Sequence, residues 1–167
     1  MGNFFTDVIA KDPRVESVPR VSALDLLEPG TRDRVQAIIA DARAHGIELM
    51  VFETYRSRAR QLELFNRGVT KLREVGVHNY GLACDIVKVV AGEPSWKGDF
   101  HLIGDLARAH GLIWGGDWGR PGQPHSFVDP VHVQRCTVGR QASLFRGEWY
   151  PDDGYDPYQD LATPPGG

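Results

Sequence analysis

Apolar residues return at Val35, Ile38, Ile39 and Ala42, the spacing of one helix face, between Pro29-Gly30 and a stop at Gly46. Thr31 is the expected N-cap of this helix. Residues Ile47 to Thr54 then have strand composition and length, and Ser57 is placed to cap a second helix, Arg58 to Arg67, closed by Gly68. After a loop over 69–80 comes Leu82 to Val90, a β-rich run in which only Asp85 and Lys88 are charged. Alternation along a strand puts Ala83, Asp85 and Val87 on one face and Leu82, Cys84 and Ile86 on the other. A third helix is expected from about Asp99 to His110, before Gly111. A strand and a long Gly-, Pro- and Trp-rich loop follow, then a short strand at Val131 to Arg135 and a short helix within 137–147. Helices and short strands without regular βαβ alternation predict an α+β domain, a small antiparallel sheet with flanking helices.

At 167 residues, 41% apolar and 25% charged, the chain has the composition of one ordinary globular domain. Residues 1–22 read as an arm lying on that domain, 23–147 as the domain itself, and 148–167 as an irregular, Pro-rich tail. The tail holds five acids and no base, so the rest of the chain is mildly basic at +2 although the total is −3. With no clustered Lys/Arg run, nucleic acid is not an expected partner. No apolar stretch approaches the roughly 20 residues that span a bilayer, so no stable membrane association is expected. The N-terminus has no basic region ahead of an apolar core, so no Sec-type export signal is expected. Cys84 and Cys136 lack metal-site spacing and read as two buried thiols, with a disulfide as the alternative. A monomer is expected.

Two short segments carry the candidate chemistry: His78 to Asp85, and Asp129-Pro130-Val131-His132. A catalytic zinc takes three protein ligands of nitrogen or oxygen type and keeps one position open, a set that His78, Asp85 and His132 would supply. Asp85 lies in an otherwise apolar strand, where an unpartnered carboxylate is costly and a metal is one of few partners that would stabilise it. Asp129 is then the acid left over, suited to take a proton from water and pass it to a leaving amine.

The motif His78-x-x-Gly81-x-Ala83-x-Asp85, then Trp114-Gly115-Gly116-Asp117-Trp118, then Phe127-x-Asp129-x-x-His132, resembles the LAS-type zinc peptidases of the M15 family. The likeness extends over roughly Ala23 to Gln134. It is closest to the L-alanyl-D-glutamate endopeptidases of phage endolysins and bacterial wall hydrolases, with VanY-type D-alanyl-D-alanine carboxypeptidases as cousins. The resemblance implies the LAS/hedgehog-like fold, zinc on His78, Asp85 and His132, and Asp129 as catalytic acid/base. It implies bacterial peptidoglycan stem peptides as the partner and action at the cell wall, after holin-type release or dedicated secretion. Tyr55-Arg56-Ser57, continuing to Gln61, resembles the family stretch whose arginine faces substrate, so Arg56 is assigned to substrate or oxyanion. The alternatives are a helix-start salt bridge for Arg56 and a solvated helix position for Gln61. Asp117 would orient a ligand histidine or contact substrate, or else cap a tight turn. His125 is a rival ligand. One departure stands out: Gly76 occupies the place, two residues before the first histidine, where the family carries serine.

The resemblance implies hydrolysis of the stem peptide, L-Ala–D-Glu cleavage first and D,D-carboxypeptidase action second. From other classes, the alternatives are a non-catalytic zinc-stabilised wall-binding module and a structural virion or secretion component. Asp129 favours the enzyme, since a binding module has no need of that carboxylate.

Overall fold

The computed structural model describes residues 2–73, 75–119 and 128–163. Its helices are α1 (Phe4–Asp7), α2 (Pro29–Ala44), α3 (Arg58–Asn66), α4 (His101–Ala109), α5 (Gln141–Phe145) and α6 (Pro157–Ala162). Its strands are β1 (Leu49–Glu53), β2 (Ala83–Val90), β3 (Glu93–Ser95), β4 (Ile113–Trp114) and β5 (His132–Gln134). The sheet runs β1-β2-β5-β4, with β3 also on β2, and every pairing is antiparallel. This is the α+β class and small antiparallel sheet that the sequence predicts.

The main core lies between the sheet and helices α2 and α4. Val35, Ile38 and Ala42 meet Ile103, Leu106 and Ala107 and the inward residues Cys84, Ile86 and Val133. Gly46, Gly68 and Gly111 follow the three long helices in the left-handed region, as the sequence predicts. The start of α2 differs from expectation. Thr31 does not cap it; Glu28 does, its buried carboxylate accepting from the backbone N–H groups of Gly30 (2.8 Å) and Thr31 (2.9 Å). Pro29 takes the first helical position, where its missing N–H costs nothing. Ser57 caps α3 as expected, accepting from the Arg60 N–H.

The arm and the tail carry more structure than their composition suggests. Ile9 is fully buried in the arm, Thr54 N–H donates to Val21 O, and Tyr55 Oη donates to Val15 O. The tail forms helix α6, capped by Asp156, where irregular chain was expected. It is tied down by Arg135, whose buried guanidinium donates to the carbonyls of Asp152 (2.7 Å) and Tyr155 (2.9 Å) and meets Glu28. Tyr158 Oη donates to Leu112 O. Both cysteines are buried free thiols, and burial raises the pKa of each. Among the described residues no helix is long and apolar enough to cross a membrane.

Candidate metal centre and cleft

Three elements converge on the site. His78 lies on a 3₁₀ turn, Val77–Tyr80, that replaces part of the loop expected over 69–80. Asp85 lies on β2 and His132 on β5, directly across from each other in the sheet register. All three side chains are largely buried, and their ligand atoms lie within 4.8 Å of one another. His78 Nε2 is 3.2 Å and His132 Nδ1 is 3.4 Å from the same Asp85 oxygen.

The other nitrogen of each ring fixes its tautomer. His78 Nδ1 faces the Thr54 carbonyl at 2.8 Å; a carbonyl only accepts, so Nδ1 holds the proton and Nε2 keeps its lone pair. His132 Nε2 faces Gln134 Oε1 at 2.7 Å. The amide of Gln134 is oriented by its own donation to Cys136 O at 2.6 Å, so its oxygen accepts and His132 Nδ1 keeps the lone pair. Two imidazole lone pairs and a carboxylate therefore face one another in a buried space, an arrangement that needs a cation between them. The donor set, two nitrogens and one oxygen, fits zinc. Burial works against ionisation of Asp85, yet the histidines hold its carboxyl well below the ordinary range. Burial likewise opposes protonation of His132, yet the facing Asp85 and the nearby Asp129 raise its pKa all the same, drawing to Nδ1 the positive charge that a metal would supply.

Asp129 precedes β5 on a segment seated against Gly115. Its N–H donates to Gly115 O (3.0 Å), and a Cβ at Gly115 would lie 2.3 Å from Asp129 O, so only glycine permits the approach. Trp114 Nε1 donates to Pro130 O and pins the same segment. Burial, and next the charge of Asp85, push the Asp129 carboxyl up, toward the range of a proton-transfer group. His78, Asp85, Asp129 and His132 line one cleft of about 480 Å³.

The predicted auxiliary residues fare unequally. Arg56 lines the cleft, but it is only 8% exposed and its guanidinium is engaged: Nη2 donates to Glu53 Oε1 (2.7 Å) and lies 3.5 Å from Asp85 Oδ2, and Nη1 donates to Gln61. Gln61 is not a solvated helix position: it lines the cleft with its amide engaged. It is 1% exposed, accepts from Arg56 and donates to Leu72 O at 2.6 Å, bracing the arginine against the loop after α3. Asp117 accepts from Arg108 (2.7 Å), and it is not among the residues lining the cleft. The neighbouring Trp118 does, with its ring 4.9 Å from that of His132. Gly76 lies against Gln61, whose Oε1 would be 3.3 Å from a Cβ there, and both line the cleft. His125 and Phe127 lie outside the described residues.

Sequence reasoning missed Glu53 and Gln134. Glu53 is, like Asp85, an acid in a largely apolar strand. A bulge opposes both Phe52 and Glu53 to the Asp85 end of β2, and the two neighbouring residues both line the cleft. Gln134, two residues after His132, is marked by the two-residue strand period.

Comparison with known proteins agrees with this geometry. The peptidoglycan L-alanyl-D-glutamate endopeptidase CwlK of Bacillus subtilis is 30% identical over 127 residues, 65% of this chain and 72% of CwlK. The chain belongs to the M15 peptidases. The family profile described as D-alanyl-D-alanine carboxypeptidase matches residues 71–135 of this M15 peptidase, the span from the loop before His78 to just past His132. The L-alanyl-D-glutamate peptidase of Listeria phage A118 is 27% identical over 125 residues, 71% of this chain and 41% of the phage protein. Among solved structures, the Serratia marcescens L-Ala D-Glu endopeptidase ChiX superposes with a TM-score of 0.53 at 27% identity, over 75% of this chain and 95% of ChiX.

Proposed function

We propose that this M15 peptidase hydrolyses the L-Ala–D-Glu bond of peptidoglycan stem peptides with a zinc ion held by His78 Nε2, His132 Nδ1 and Asp85. The observation that carries this reading is the convergence of two imidazole lone pairs on a buried carboxylate beside Asp129. Zinc bound there supplies Lewis acidity to the scissile carbonyl and to water. Asp129, whose proton affinity is raised by burial and by Asp85, takes a proton from the attacking water and returns it to the departing amine nitrogen. Arg56, clamped by Glu53 and Gln61, supplies a fixed positive charge in a dry wall, favouring negative charge on the carbonyl oxygen through space. Gln134 and the Thr54 carbonyl accept from the far nitrogen of each ligand imidazole and keep its other nitrogen aimed into the site.

The match to a profile described as a carboxypeptidase favours D,D-carboxypeptidase action as the second reading. Mass spectrometry of defined muropeptides incubated with zinc-loaded protein, beside a chelated control, separates the two. A chelator-sensitive product with a new N-terminal D-Glu is expected, and loss of a single D-Ala would replace the endopeptidase by the carboxypeptidase. No product from folded, metal-loaded protein on several wall chemotypes would overturn both.

A further inference from the structure

The α3 wall of the cleft holds more positive charge than the metal site uses. Arg60 and Arg67, both on or just after α3, line the cleft with Arg56. Glu53, 2% exposed, reaches both Arg56 (2.7 Å) and Arg60, whose Nε donates to Glu53 Oε2 at 3.0 Å. One carboxylate thus holds two guanidiniums in place; with Arg67, three arginines stand on this wall against two acids, Glu53 and Glu63, Asp85 belonging to the metal site. The two arginines are not equivalent. Both terminal nitrogens of Arg56 are engaged within the protein, whereas Arg60 spends only Nε at hydrogen-bond distance, its Nη1 lying 3.5 Å from the half-exposed Glu63. Arg60 keeps a terminal N–H edge for a ligand, and Arg67 is exposed at the rim.

We propose that Arg60, positioned by Glu53 and assisted by Arg67, is a specificity residue that reads a free carboxylate on the residue whose nitrogen leaves. The proposal rests on the L-Ala–D-Glu reading above. A glutamate joined to a peptide through its amine and one carboxyl keeps its second carboxyl, a planar anion that a held guanidinium edge recognises well. Masking that group as a carboxamide removes the charge while leaving its size and the scissile bond unchanged. The structure thus assigns preference for stem peptides with unamidated D-Glu over those in which the free carboxyl is a carboxamide.

The test compares kcat/KM of the zinc-loaded full chain on two synthetic stem peptides that differ only in that group. A preference of about 10- to 100-fold for the carboxylate is expected, the size of one charge-assisted hydrogen bond. Arg60→Gln should bring the ratio of the two values toward one, and Arg60→Lys should restore part of it. Arg67→Gln, on an exposed residue whose loss does not endanger folding, should lower the ratio by a smaller factor. A general structural defect lowers both values together and leaves the ratio alone. Equal wild-type values, or a ratio unmoved in both Gln variants, overturn the proposal while leaving L-Ala–D-Glu cleavage intact. If neither peptide is cut at that bond, the functional reading itself fails and this proposal falls with it.

Discussion

The two walls of the cleft satisfy their buried polar groups in different ways. On the strand wall, the ligand histidines are held by neutral partners, the Thr54 carbonyl and the Gln134 amide. On the α3 wall, Arg56 and Arg60 are held by a charged one, Glu53. The difference follows from what each wall must present. A metal ligand must be a neutral imidazole with a free lone pair, and a carboxylate on its far nitrogen would promote a protonated ring in the absence of metal. A wall that meets an anionic substrate must keep donors free, so one shared carboxylate orients its arginines while a terminal N–H edge of Arg60 and the exposed Arg67 stay available.

Breaking the strand wall should have the largest effect. Asp85→Asn removes the anion that faces both imidazoles, so the protein should lose stoichiometric zinc and at least ~10³-fold in turnover. Metal analysis after dialysis beside a rate assay checks this. Disturbing the α3 wall instead should cost stability. Glu53→Ala leaves Arg56 buried without its main counter-charge, and unfolding should become easier by about 3–5 kcal/mol, read by urea denaturation, while zinc stoichiometry is kept. The contrast between these two variants, metal lost against stability lost, is the sharpest statement of the difference between the walls.

Smaller changes refine it. Gln134→Ala frees His132 Nε2 and should weaken zinc affinity about 10- to 100-fold without unfolding the chain, measured by competition with a chelating dye. The smallest effect expected lies away from both walls. Hydrogen bonds from Arg140 hold the Asp160 carboxyl below its ordinary pKa, against a small opposing effect of burial. A depressed folded-state pKa stabilises the protein above the unfolded value and is lost as pH falls through the folded one. The stability deficit of Asp160→Asn, read by urea denaturation, should therefore be present at neutral pH, amount to about 1 kcal/mol or less, and fade below about pH 4.

Much of this was legible in the chain. The helix periods, the glycine stops and the Asp85 anomaly predict the sheet, its flanking helices and the three residues that converge. What sequence left out is what only packing decides. Glu28 rather than Thr31 caps α2 because its side chain folds back to reach two N–H groups and also meets Arg135, far along the chain. Gln61 is amphipathic by pattern, and its burial follows from the loop at Thr70 to Leu72 closing over it. Asp117 sits in a motif suggestive of the metal, and its contact with the Arg108 guanidinium on α4 is one that no local pattern announces. The tail reads as irregular from its prolines, yet Pro157 serves as the first residue of a helix capped by Asp156.

The division of labour between Asp129 and its neighbours is the central claim, and Asp129→Ala tests it most directly. Zinc content and single-turnover rate on an L-Ala–D-Glu muropeptide would be measured on one sample, with His132→Ala alongside. The account predicts that Asp129→Ala keeps one zinc per chain and loses turnover by several orders of magnitude, while His132→Ala loses both. An Asp129→Ala variant that cleaves at the wild-type rate would contradict it.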